Sequence, residues 1–466
     1  MMEFFKVDID MLRKLIAIAM SRGGDYADIY FEYSSLDEMQ LRDRKVASVG
    51  QHIDYGVGIR VLKGEQTGYA YAESTEWDKM AKAAATAAAI ADGTVRAQGP
   101  VAITEIRHAE YYPSDDSWSR FDTEKRIDYL QRMNDLVYGM DSRITNVMES
   151  LTSSYERTLF FNSLGELAQD CGPMSSLAVS VVASQGDRRE TASMSRSFRM
   201  GSEFLTDELM SDMASQVVGK CSMLFTAGTI KGGEMPVVMG AGGAGILLHE
   251  AIGHAFEADF IRKGTSIFTD SLGKKICNEK ISVVDDGTIP FNRGSINIDD
   301  EGVPSQKTYM VTEGVLTSFL HDRVSARHYG VAPTGNGRRE SFRFNPIPRM
   351  RATYMENGDA TREDIIASVS KGVFLDTFSN GQVQIGAGDF TFYVKSGWLI
   401  ENGRLTQPLK DINVIGNGPQ ALADIVAVAS DCIIDNGKWT CGKEQYCPVS
   451  CGMPTVLVSK LSVGGV

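Results

Sequence analysis

The chain is 466 residues long and carries 47 lysines and arginines against 60 aspartates and glutamates, a net charge of −13. That length is enough for two or three domains around a large core. The acidic balance leaves no basic stripe to neutralise phosphates, which argues against direct nucleic-acid binding, and no apolar run reaches the length of a membrane span.

The N-terminus opens on an amphipathic helix with Leu12, Leu15, Ile16 and Ala19 on one face. Arg13 and Lys14 interrupt it and no small-residue cleavage site follows, so it does not read as a signal peptide. Seven cysteines, an odd number, fit reduced thiols in the cytoplasm better than a disulfide framework. Residues 27–33 read as a strand, and 55–62 with 68–72 as a hairpin around Lys63-Gly64-Glu65. An alanine-rich helix follows at 77–91, then one or two helices within 117–140. Strand patterns return at 159–162, 177–185 and 191–199.

The polar, glycine-rich stretch 226–236 marks a domain boundary. Beyond it lie a short strand at 237–239 and further strands at 282–285, 308–312, 315–320, 383–385, 390–395 and 397–400. Asn402-Gly403 is a strong hairpin turn. Helices are expected at 361–370, opened by Thr361 with Asp364 three residues on, and at 419–430. The expected fold class is α+β with two domains. Residues 1–225 form a mixed domain with antiparallel strands, and 226–466 a β-rich domain carrying a metal-binding helix.

The chemistry concentrates in residues 245–257, which hold His249-Glu250-Ala251-Ile252-Gly253-His254 and, three residues on, Glu257. Two imidazoles and a carboxylate are what a metallopeptidase needs to hold a divalent cation and move a proton. The histidines are one residue further apart than in His-Glu-x-x-His. On an α-helix that step turns them about 140° apart. A π-type turn of roughly 4.4 residues brings them within about 50°. A distorted or ending helix is therefore expected at Gly253, where glycine permits it.

A third ligand is open among several groups. Cys441, Cys447 and Cys451 crowd one C-terminal stretch near Cys432, and Glu257 and His321 are rivals. Glu257 is equally suited to orienting His254. The run Gly240-Ala241-Gly242-Gly243-Ala244-Gly245 formally matches a dinucleotide fingerprint, but no second strand with a ribose-binding acid follows, so a tight strand-to-helix turn is the better reading. Asp300 and Glu301, with Arg338 and Arg339, are candidate substrate contacts, and 345–349 a rigid wall beside them.

The segment 249–259 resembles the signature of the TldD/PmbA family, in its TldD branch. Asp299-Asp300-Glu301-Gly302, residues 333–340, 346–350 and 415–419, and Cys441-Gly442-Lys443 resemble TldD segments in the same order, as does 56–71. The resemblance covers essentially the whole chain. It implies a cytoplasmic zinc peptidase acting on unfolded or small peptides. His249, His254 and Cys441 would be ligands to one Zn2+, with Glu250 as general base. It also implies a dimer, with a PmbA-type (TldE) paralogue as partner. The family has carried the label modulator of DNA gyrase as well. This chain departs from the usual pattern after Lys443, reading Glu444-Gln445-Tyr446-Cys447 before Pro448. The competing reading is a non-catalytic regulatory binding protein, for gyrase or a toxin–antitoxin system, in which Glu250 has no chemical role.

Overall fold

The computed structural model describes residues 1–93, 101–384 and 386–465. Long antiparallel strands dominate its first half. Gln66–Ala72, Lys45–Lys63, Tyr26–Arg42, Ile144–Asn162 and Glu166–Gln185 lie in that order, and Arg188–Phe198 pairs with the last of them. The two-residue strand Thr104–Glu105 adds to Glu166–Gln185 in parallel. Helices Ile9–Ala19 and Trp77–Ala88 bury Leu12, Leu15, Met80 and Ala84 against one end of this sheet. Thr123–Met140 and Asp207–Leu224 cover the other end through Leu130, Met133, Met213 and Val217.

The second half builds two six-stranded sheets. One runs Val315–Leu316, Lys307–Thr312, Val283–Asp286, Ala352–Met355, Ser450–Met453, Ile433–Asp435. The other runs Arg404–Asn417, Asp389–Glu401, Lys371–Val383, Gly233–Met239, Val456–Gly465, Ile425–Val428. Arg404–Asn417 also pairs with Val456–Gly465, so five strands of that sheet close into a ring. Leu247, Leu248, Ile252 and Phe256 share one apolar cluster with residues of both sheets, among them Val283, Met355, Val373 and Val456. The histidine segment is thus embedded where the two sheets meet.

Several expected elements differ in extent. The strand at 315–320 ends at Leu316, because the chain then leaves the ladder and Leu320 bridges Glu257. The helix at 419–430 is only Gly418–Ala423; the branched residues after it form the strand Ile425–Val428 on Val456–Gly465. The patterns at 390–395 and 397–400 are one strand, and the expected strand at 383–385 is the end of Lys371–Val383, with Ile385 outside the described residues. Thr361 caps the helix Arg362–Ala367 as expected, its Oγ1 accepting from Asp364 N–H at 3.1 Å. The helix Asp207–Leu224, capped by Thr206, had no counterpart in the sequence reading.

A buried ion network ties the first sheet to the loops of the second half. Arg60 donates through Nε to Asp28 at 2.8 Å and through Nη1 to Glu301 at 2.6 Å, and no part of the three side chains reaches solvent. Tyr69 and Glu32 extend the seam, the first donating to the carbonyl of Phe342 at 2.6 Å and the second accepting from its N–H.

Candidate metal centre

The strand Gly233–Met239 runs into a glycine turn that seats the histidine segment. A Cβ on Gly245 would stand 2.4 Å from the backbone nitrogen of Gly452, so the close approach of two main chains needs glycine there. From Ile246 the helix runs one α-turn to Leu248, becomes π over His249–Gly253, and tightens to a 3-10 turn over His254–Phe256. The His254 N–H donates to the His249 carbonyl, the five-residue bond that defines the π-turn. Gly253 has ordinary helical torsions. It is required by space instead, since a Cβ would lie 2.3 Å from Met350 Sδ.

This widening brings the two imidazoles together, with ring centroids 5.1 Å apart and planes at 84°. Cys441 reaches them from the hairpin of Thr440–Lys443 and Gln445–Pro448, where it pairs across the ladder with Cys447. One donor atom from each of His249, His254 and Cys441 lies within 4.8 Å of the others, and all three residues are buried. Cys441 Sγ is 3.2 Å from His254 Nε2. Burial alone would raise the thiol, but His249 and His254 outweigh it and bring Cys441 down to about 4. A thiolate is therefore available at neutral pH.

His254 is held from behind. Its Nδ1 lies 2.9 Å from Glu257 Oε2, leaving Nε2 for the cluster. Glu257 is fully buried, which by itself would raise its carboxyl; Lys443, His254 and Arg349 reverse that and hold it at about 2. Lys443 Nζ stands 3.0 Å from Glu257 and 2.7 Å from Asp259. Arg349 is fully buried, 3.8 Å from Glu257, and donates to the carbonyl of Cys441 at 2.7 Å. Burial opposes the charged form of His254, but the Glu257 carboxylate and the Cys441 sulfur raise it to about 10. A proton held between imidazole and thiol is what a dication would replace.

The donor set fits zinc. Two nitrogens and a sulfur suit its borderline softness, and three protein ligands leave a position open. His249 Nδ1 is buried without a hydrogen-bond partner. Glu250, next in the chain, is 24% exposed, with Oε2 at 4.0 Å from His254 Nε2, so a carboxylate borders the cluster on its wetter side.

The rivals for third ligand lie elsewhere. Glu257 serves His254 and Lys443. His321 is outside the cluster, and burial pulls it down to about 4. Cys447 Sγ lies 3.5 Å from Arg349 Nη1, Cys432 donates to the carbonyl of Met355, and Cys451 is buried on Ser450–Met453 with burial pushing its thiol well up. Of the candidate substrate contacts, Glu301 is committed to Arg60 and to the Arg323 N–H at 2.6 Å. Arg339 lies over the Tyr30 ring and donates to the Asp300 carbonyl at 2.8 Å. Arg338 and Asp300 line a cavity. The sequence placed Arg349 in a rigid wall and Lys443 in the segment after Cys441 without linking either to the histidines; the i, i+2 spacing of Cys441 and Lys443, which puts both on one face of a strand, was a signal for Lys443.

Three family profiles match the chain: PmbA/TldA metallopeptidase domain 1 at residues 27–91, the central domain at 116–220 and the C-terminal domain at 232–465. Together they define the class of protein, a metallopeptidase-family architecture spread over nearly the whole chain. A Haemophilus influenzae protein named Metalloprotease TldD homolog is 37% identical over 97% of this chain and 96% of its own length. A Saccharolobus solfataricus protein named Zinc metalloprotease TldD homolog is 28% identical over 97% and 99%. The chain belongs to the PmbA/TldD family. Its fold is that of TldE from Thermococcus kodakarensis (TM-score 0.77, 20% identity, 98% of this chain and 100% of that one). It is equally that of a Thermotoga maritima protein named as a candidate modulator of a DNA gyrase (TM-score 0.78, 22% identity, 98% and 99%). Among the described residues no helix is long and apolar enough to cross a membrane.

Proposed function

We propose that the chain is a zinc-dependent peptidase acting on unfolded or small peptides, with His249, His254 and Cys441 as metal ligands and Glu250 as general base. The observation that carries this reading is the buried three-donor cluster within 4.8 Å, bordered by the partly exposed Glu250 carboxylate. The name of the Saccharolobus relative supports zinc. When bound, zinc supplies Lewis acidity toward a scissile carbonyl and acidifies water.

The residues do the rest. Glu250 takes a proton from the attacking water and returns it to the departing amine. Glu257 fixes the tautomer of His254 by accepting from Nδ1, and Lys443 and Arg349 keep that carboxylate ionised. Arg338, Arg339 and Asp300, on their cavity, are the substrate contacts of this reading; Glu301 braces them through the buried seam. The fold shared with TldE supports work as a dimer with a paralogue of that kind. Seven free cysteines, four of them besides Cys441 buried, suit a reducing cytoplasm.

Glu250→Gln tests the mechanism. Zinc content stays near one per chain while peptide hydrolysis falls by about 10²–10⁴-fold, the usual range for a lost acid–base group. Hydrolysis at the wild-type rate overturns the role of Glu250. Zinc retained with no hydrolysis in either protein, alone or with the paralogue, favours the regulatory binding reading suggested by the gyrase-modulator names of its structural relatives.

A further inference from the structure

Behind the hairpin that carries Cys441 lies a cavity of about 170 Å³ between the first sheet and the loops of the second half. Tyr446 and Pro448 wall it; they alternate with Gln445 and Cys447, which are buried on the opposite side of their strand. Five arginines line it: Arg339, which has the Asp28 carboxylate at 3.7 Å, and four others, Arg199, Arg293, Arg338 and Arg351, each 3–7% exposed. Burying one guanidinium without a carboxylate is costly, and four around one space much more so.

Their partners are neutral. Arg293 donates to the Trp439 carbonyl at 2.8 Å and to Ser197 Oγ at 2.7 Å, and Arg338 to the Met350 carbonyl at 2.7 Å. Arg199 stacks 3.9 Å over the Tyr112 ring. Arg351 has only a long bond to the Gly335 carbonyl, and its Nη2 is buried with no partner; Arg199 Nε is likewise unpartnered. Among the described residues no carboxylate oxygen stands within 4.0 Å of any of the four.

Acids occupy the other wall: Glu32, Glu156 and Asp300, with Glu340 at the rim. Burial and then Glu156 push Glu32 well up, and burial raises Glu156 to about 7 although Arg199 opposes it, so this wall carries less negative charge than its residue count. On the arginine side, burial and the neighbouring guanidiniums pull Arg293 and Arg351 down to about 10. The cavity therefore holds excess positive charge with unused N–H donors facing a space large enough for several waters.

We propose that this cavity is an oxyanion site whose ligand is a carboxylate, seated on Arg351, Arg293, Arg338 and Arg199. Planar guanidinium forks match a carboxylate in two-point hydrogen bonds. The carboxylate comes either from the C-terminus of a bound peptide, which rests on the peptidase reading above, or from a free small dicarboxylate, which does not.

The test is a binding measurement, independent of turnover, on the zinc-loaded full-length Glu250→Gln protein. Titration calorimetry compares an alanine–glycine hexapeptide with a free C-terminus, the same peptide as its C-terminal amide, and sodium succinate, at constant ionic strength set with chloride. The free acid is expected to bind at least tenfold tighter than the amide, with succinate competing. Succinate binding without any peptide preference assigns the site to a free dicarboxylate and still supports it. Arg351→Met and Arg293→Met weaken the effective ligand at least tenfold, and Arg351→Lys restores part of the loss. Should a methionine variant not fold, the acid-against-amide comparison and the succinate dependence of the wild-type melting temperature decide. Equal binding of acid and amide together with no effect of succinate overturns the proposal.

Discussion

Replacing Glu257 with glutamine probes the part of the centre that touches no solvent. The wild-type carboxylate accepts from His254 Nδ1 at 2.9 Å and faces Lys443 at 3.0 Å. Glutamine keeps an acceptor of nearly the same shape but removes the charge, while Lys443 retains Asp259 at 2.7 Å. Loss of a group that orients a ligating histidine typically costs 10–100-fold in metal affinity. With the hydrogen bond preserved, Glu257→Gln belongs at the lower end, about tenfold, or roughly 1.4 kcal/mol. Glu257→Ala loses bond and charge and belongs at the upper end, about 100-fold. Competition with a chromophoric chelator at fixed pH measures both, beside His254→Ala as the variant that loses the ligand itself. Unchanged zinc affinity in both Glu257 variants would refute the orienting role and imply that Nδ1 is not the nitrogen turned away from the metal.

Other expectations are more local. Cys441→Ser should abolish stoichiometric zinc binding and Cys447→Ser should not, by elemental analysis of freshly purified protein, because Cys447 Sγ sits beside Arg349 outside the cluster. Arg60→Met should destabilise the protein by about 3–5 kcal/mol in urea unfolding, since it removes the cation that Asp28 and Glu301 share and leaves Asp28 only Arg339 at 3.7 Å; a loss below about 1 kcal/mol would show that the seam is not what couples the two halves. Burial raises the Glu149 carboxyl to about 7 although Asn134 donates to it. Its folded value lies above its unfolded one, so its contribution is fully present below about pH 4.5, is lost as pH rises to about 7, and stays lost above. Glu149→Gln should therefore be more stable relative to wild type at pH 8 than at pH 4.5, by on the order of 3 kcal/mol; parallel stability curves would contradict the shift.

What the sequence revealed depended on how a pattern meets solvent. The strand Lys45–Lys63 was legible only over 55–62, because its first nine residues are exposed on both faces and carry no alternation. The helix Asp207–Leu224 went unread among methionines and serines, although Met210, Met213, Ala214 and Val217 recur at helical spacing. In the centre, His249, Glu250 and His254 were legible because they are neighbours in the chain, and the extra residue between the histidines pointed to the π-turn. Cys441 was selected by family resemblance, since spacing says nothing about a partner from a distant hairpin. The link of Arg349 and Lys443 to the histidines went unread for a different reason: arginine and lysine normally mark a surface, and here both are buried to position a carboxylate.

The sulfur of Cys441 meets His254 across 187 residues of chain. A chain emerging from the ribosome presents both histidines and Glu250 long before it presents that sulfur. The strands that follow its hairpin anchor this end of the chain, Ser450–Met453 on Ala352–Met355 and Val456–Gly465 on Gly233–Met239. The three donors therefore cannot converge until the 187 residues that separate His254 from Cys441 have been made.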